Sequence, residues 1–187
     1  MSLATEPRPP WLKPAVTHDF PDDFLRHLKD ASAYAELHMF GDAEQCLLGL
    51  PAHLQNTAAA LLQWCELEAA RHNWSATQTH ASALTLHKPE ISAGWFWLGY
   101  STRRADSAEA AYSALKPAAG RFPEDPVVDY NFACYAALSG HESDSKEALA
   151  RVLVAHPRYR HAALEDPDLS THWTWLREHY PPQLTQA

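Results

Sequence analysis

The chain has 187 residues, 46% of them hydrophobic and 20% charged, which suits one compact domain with a sizeable core. Lys and Arg number 15 against 23 Asp and Glu, a formal charge of -8. With that balance and no Lys/Arg run, nucleic acid and an anionic bilayer are not expected partners.

Taken from the N-terminus, Pro7, Pro9, Pro10 and Pro14 deny regular structure to the opening residues, so 1–21 reads as a flexible tail. It holds no apolar stretch long enough for a signal-peptide core, and no uncharged run of membrane-spanning length occurs anywhere, so membrane insertion is not expected. Cys46, Cys65 and Cys134 are odd in number and widely spaced, the pattern of free thiols in a cytoplasmic protein. A first helix is expected from Asp22 to Met39, stopped at Phe40-Gly41-Asp42, with a short second helix ending at Gly49-Leu50-Pro51.

From there the chain repeats. Pro89, Pro123 and Pro157 are evenly spaced, each after a helical run (ALTLHKP, AAGRFP, RVLVAHP). Counting back half a period from each lands on His72, Asp106 and Gly140, each in a short polar break. Every unit therefore reads as helix, tight turn, helix and a proline-marked turn. Strand signals are absent, so the fold class is all-α. Gly41 lies closer to His72 than a full period, so the first unit is expected to be shortened by one helical turn. Asp144 and Glu147 in HESDSKE read as a capping box for the second helix of the fourth unit. The segment after Pro157 reads as a C-terminal capping helix.

In the third unit, Trp95, Leu98 and Gly99 form W-x2-L-G, Ala111 and Leu115 stand in the A-x3-F place, and Pro123 closes the unit. On these residues, and on a proline period of about 34 residues, the chain resembles the tetratricopeptide repeat family. Thr102 stands where that family usually has Tyr. The resemblance implies a right-handed α-solenoid over 22–157, with repeats at about 22–54, 56–89, 90–123 and 124–157, and a cap over 158–187. It also implies that the first helix of each repeat lines a concave groove.

GWFWLGYSTRR (94–104) places three large rings side by side, and at about 100° per residue one buried face cannot hold them all. Trp95, with Leu98 and Gly99, belongs to the packing. Phe96, Tyr100, Arg103 and Arg104 form a second stripe, and Trp97 lies between. The same stripe is expected at Tyr130 and Cys134, at Leu62 and Glu66, and in the first unit at Leu28, Ala31, Ala35, His38 and Met39. Such a groove suits a protein or peptide segment with apolar anchors and a carboxylate for the arginines. The alternative is that the stripe packs on the chain's own C-terminal segment or on a neighbouring subunit of a homo-oligomer.

No H-E-x-x-H, G-x-S-x-G, phosphate loop or zinc-like cluster occurs, so no catalytic residue, metal or cofactor is expected. The Lys/Asn clamp of chaperone-binding repeats is mostly missing. A non-enzymatic protein-binding module is the first reading. A secretion-type chaperone for a hydrophobic partner is the second, and an enzyme whose site the sequence hides, with a Cys134–His pair as its mark, is the third.

Overall fold

A computed structural model describes residues 21–181. The Pro-rich stretch before Pro21 and residues 182–187 lie outside the described residues, and the expectation of a flexible tail falls there. The helices are α1 (Asp22–Glu36), α2 (Phe40–Leu48), α3 (Ala58–Ala70), α4 (Trp74–His87), α5 (Ser92–Ala105), α6 (Ala108–Leu115), α7 (Pro126–Leu138), α8 (Glu142–Ala155), α9 (Tyr159–Glu165) and α10 (Trp173–His179). Short 3-10 turns occupy Lys116–Ala118 and Pro167–His172, and no strand occurs among the described residues. The chain divides into two compact units, Met1–Asn73 and Trp74–Ala187.

Helix starts repeat with the same period as the prolines. Helices α2, α4, α6 and α8 begin at Phe40, Trp74, Ala108 and Glu142, and α3, α5 and α7 begin at Ala58, Ser92 and Pro126, evenly spaced in each series. The turns after α1, α3 and α7 share one closure, and the turn after α5, at Asp106 with φ -135°, does not. His38, His72 and Gly140 have left-handed φ of 59°, 58° and 79°. In each case the next N–H donates back to a carbonyl five residues earlier, on Tyr34, Glu68 and Ala136, at 2.8 Å. This is the Schellman closure, which satisfies helix-end carbonyls. The expectation of a shortened first unit is therefore corrected: Gly41 lies inside α2, and the break falls at His38, one full period before His72. At His38 and His72 an imidazole-bearing residue takes the left-handed conformation that favours glycine.

Packing follows the same register. Ala43, Thr77, Ala111 and Ser145 are fully buried, as are Leu47, Ala81, Leu115 and Leu149 four positions on. Ala31, Cys65, Gly99 and Ala133, at matching places in their helices, are a second buried set of small residues. Within the second unit, a Cβ on Gly99 would lie 2.6 Å from Leu115 Cδ1, so α6 can approach α5 only because that atom is missing. Trp95 is buried, and its Nε1 donates to the Pro89 carbonyl at 2.9 Å. Thr102, where the resemblance implies Tyr, accepts from Gln78 Nε2 at 2.9 Å.

The first unit packs Phe24, Leu47, Leu50, Leu54 and Leu67 into its core. Arg71 ties it together by donating to the Phe40 carbonyl at 2.6 Å, Glu44 at 2.8 Å and Glu68 at 3.1 Å. Glu68 is buried, and Asn73 Nδ2 also donates to it at 2.7 Å, so its charge is paired rather than stranded.

In the second unit Asp144 and Glu147 do not form a capping box. Asp144 accepts from Tyr112 OH at 2.6 Å, with Lys116 3.4 Å away, and Glu147 accepts from Arg151 Nη1 at 2.9 Å. The cap position of α8 is His141, whose side chain makes no capping bond. The cap after Pro157 is two short helices joined by a 3-10 turn rather than one helix, because Asp166-Pro167 breaks it and Asp166 Oδ1 accepts from Asp168 N at 3.0 Å. Ala163, Leu169 and Leu176 of this segment join the core of α7 and α8.

Candidate binding face

On α5 the stripe is an aromatic ladder. Phe96 and Tyr100, one turn apart, stack with centroids 5.4 Å apart and planes 29° apart. Trp97 meets both edge-on at 5.1 and 5.9 Å, and Trp74, the first residue of α4, meets Tyr100 edge-on at 5.8 Å. The Arg104 guanidinium lies 3.4 Å above the Tyr100 ring and 5.1 Å from Trp74. Close helix approach builds this cluster. A Cβ on Gly94 would lie 2.9 Å from Leu84 Cγ, so α4 sits hard against α5, and Trp74 reaches the ladder. Trp95 turns inward, Phe96, Trp97 and Tyr100 are half-buried, and Arg104 is exposed. Trp97, placed between the two faces by its position in the helix, belongs to the cluster. Trp74 is not reached by local spacing because it sits on a different helix from Tyr100, and only the repeat register of helix starts points to it.

On α7 the equivalent positions are covered. Tyr130 OH donates to Asp166 Oδ2 at 3.0 Å, and Cys134 Sγ lies 3.7 Å from the same oxygen. Tyr159 tilts over Tyr130 at 5.4 Å. Burial first, then the Asp166 charge, pushes the Cys134 thiol well above its ordinary range, so it stays protonated. Burial also pushes Tyr130 up, so the phenol remains a donor. Asp168, in the same turn as Asp166, is pushed up by burial and by Asp166, while Arg103 and Arg104 pull it down. The arginine pair thus already acts on a carboxylate of the chain's own C-terminal turn. The stripe expected as one continuous surface is divided between an α5 part that carries rings and an α7 part that holds the cap.

Leu62 and Glu66 lie on α3, half-buried, in the first unit, where Gln63 Nε2 donates to Glu66 at 3.2 Å. Ala31, expected on the stripe, is 1% exposed and packs into the core with Phe24 and Leu47. His38 and Met39 form the hairpin turn instead of continuing the α1 face.

Chemistry at these groups is restricted. Among the described residues no three His, Cys, Asp or Glu side chains gather in a way that could hold a metal ion. No helix among them is long and apolar enough to cross a membrane. Cys134 has a carboxylate beside it, which opposes the thiolate a nucleophile needs. Ser145 and His172 are 2.9 Å apart, but Ser145 is fully buried and donates its proton to the Ala133 carbonyl.

Compared with known proteins, the chain matches no family model, no curated protein and no solved structure.

Proposed function

We propose that the chain is a tetratricopeptide-like array of four helical hairpins that works by binding a protein segment, with the α5 ladder as its anchor. The even spacing of helix starts and the small buried residues at matching register support the repeat reading. The observation that carries the binding reading is the Phe96–Tyr100 stack topped by Arg104, flanked by Trp74 and Trp97. Aromatic and Arg side chains dominate binding energy at protein interfaces. A rigid ring pair loses little conformational freedom on contact, and the guanidinium pairs bidentately with a partner carboxylate. The partner segment carries an apolar anchor for the rings and an acidic residue for Arg103 and Arg104.

Tandem affinity capture from the source cell with wild type and with the double variant Arg103→Glu, Arg104→Glu tests this reading. A protein recovered by wild type and lost by the folded double variant supports it. Equal recovery of every protein by both removes the arginines from the mechanism.

A further inference from the structure

The C-terminal cap carries a buried imidazole where it meets the last hairpin. His172 is 3% exposed, and its Nε2 lies 2.9 Å from Ser145 Oγ on α8. Ser145 donates its single hydroxyl proton to the Ala133 carbonyl on α7 at 2.8 Å. With the hydroxyl proton on that carbonyl, the Ser145 oxygen is left to accept from the His172 ring. This chain of two bonds ties the cap to both helices of the hairpin.

A second proton would place a full charge on a ring almost cut off from water, which is costly without a close counter-charge. The groups facing the ring are few. From α8 come Lys146 and Glu142, from the cap the Trp175 ring, edge-on at 6.4 Å, and the Thr171 backbone, and from α7 the Ala133 carbonyl reached through Ser145. Burial is the largest influence and holds the imidazole below its ordinary range, with Lys146 acting the same way. Glu142 and the Thr171 backbone oppose this, and Glu142 is itself engaged by Lys146.

We propose that His172 is a pH-sensitive latch that holds the cap, residues 159–180, on α7 and α8 while neutral and loosens it once protonated. The folded group has the lower affinity for the proton, so the open cap takes it up first. The closed form is fully favoured above the ordinary histidine value of about 6.5 and loses ground as pH falls below it. Release uncovers Tyr130 and Cys134 and withdraws Asp168 from Arg103 and Arg104. The latch is a property of the cap and holds whatever α5 binds.

Hydrogen exchange on the full chain tests it, with peptides from 159–180 compared with peptides from α5 and α6 and corrected for the intrinsic pH dependence of exchange. Between about pH 7.5 and pH 5, opening of the wild-type cap should rise by up to about tenfold per pH unit once below about 6.5, while α5 and α6 stay unchanged. His172→Gln keeps an amide donor for Ser145 but cannot titrate, so its cap should show no such rise. A wild-type cap equally protected at both ends of the range, or an equal rise in His172→Gln, overturns the proposal. If that variant's cap is open at every pH, the NMR titration of the wild-type His172 ring decides. A midpoint clearly below about 6.5 supports the latch, and one at or above it overturns it.

Discussion

Helices α5 and α7 begin one repeat period apart and present the same register, with Phe96 matching Tyr130 and Tyr100 matching Cys134. Their fates differ. At the second position Tyr100 builds a ridge with Trp74 and Arg104. Cys134 is small, and the 3-10 turn of the cap settles over it, bringing Asp166 to both Tyr130 and Cys134 and burying Leu169. The repeat register places the two side chains alike, and at the second position the small Cys134 leaves room for the turn, room that a ring such as that of Tyr100 would fill.

The harshest way to break this comparison is to remove the cover. Truncation after Pro157 strips Ala163, Leu169 and Leu176 from the core of α7 and α8, so the truncated chain should aggregate or melt well below wild type. A soluble truncation with an unchanged melting point would make the cap an appendage. Next in size comes the core side of the ladder. Trp95→Ala should cost about 3–5 kcal/mol, whereas Phe96→Ala, from a half-buried ring, should cost clearly less. Equal losses in thermal melts would place Phe96 in the packing.

A sharper test gives α7 the α5 residue. Cys134→Tyr overfills the space under Asp166, and overpacking typically costs about 1–3 kcal/mol. Exchange in 159–180 should accelerate while α5 and α6 stay protected, and a tightly held cap in this variant would sink the size argument. The smallest effect concerns Asp168. Its folded value is raised, so its ionisation works against the folded state, and the stability it gives below the ordinary Asp range is lost as pH rises through that folded value. Asp168→Asn should therefore melt slightly higher than wild type at neutral pH, the gain shrinking as pH falls through the raised folded value and gone below about pH 4. A lower melting point at neutral pH would mean that the arginines outweigh burial.

Much of the fold is legible in the chain itself. Pro89, Pro123 and Pro157 announce the period, and W-x2-L-G marks which face of α5 is buried, because Trp95 and Gly99 serve a packing need that local spacing reveals. The first hairpin turn is misread from sequence because His38 adopts a conformation usually assigned to glycine. The C-terminal cover is legible as a capping segment, but the contacts it makes on α7 are not. EDPDLS shows a turn, but the meeting of Asp166 with Tyr130, far apart along the chain, depends on tertiary packing that no local pattern encodes. The same holds for Asp144, which looks like a cap and serves Tyr112 instead.

Calorimetric titration of a captured partner against wild type and the Arg103→Glu, Arg104→Glu variant, with circular dichroism as the folding control, tests the central claim most directly. A charge-assisted Arg contact is worth about 1.5–3 kcal/mol, so binding should weaken by at least about tenfold while helical content is unchanged. Undiminished affinity in a folded variant would contradict the claim that the arginine-topped ladder on α5 is the anchor.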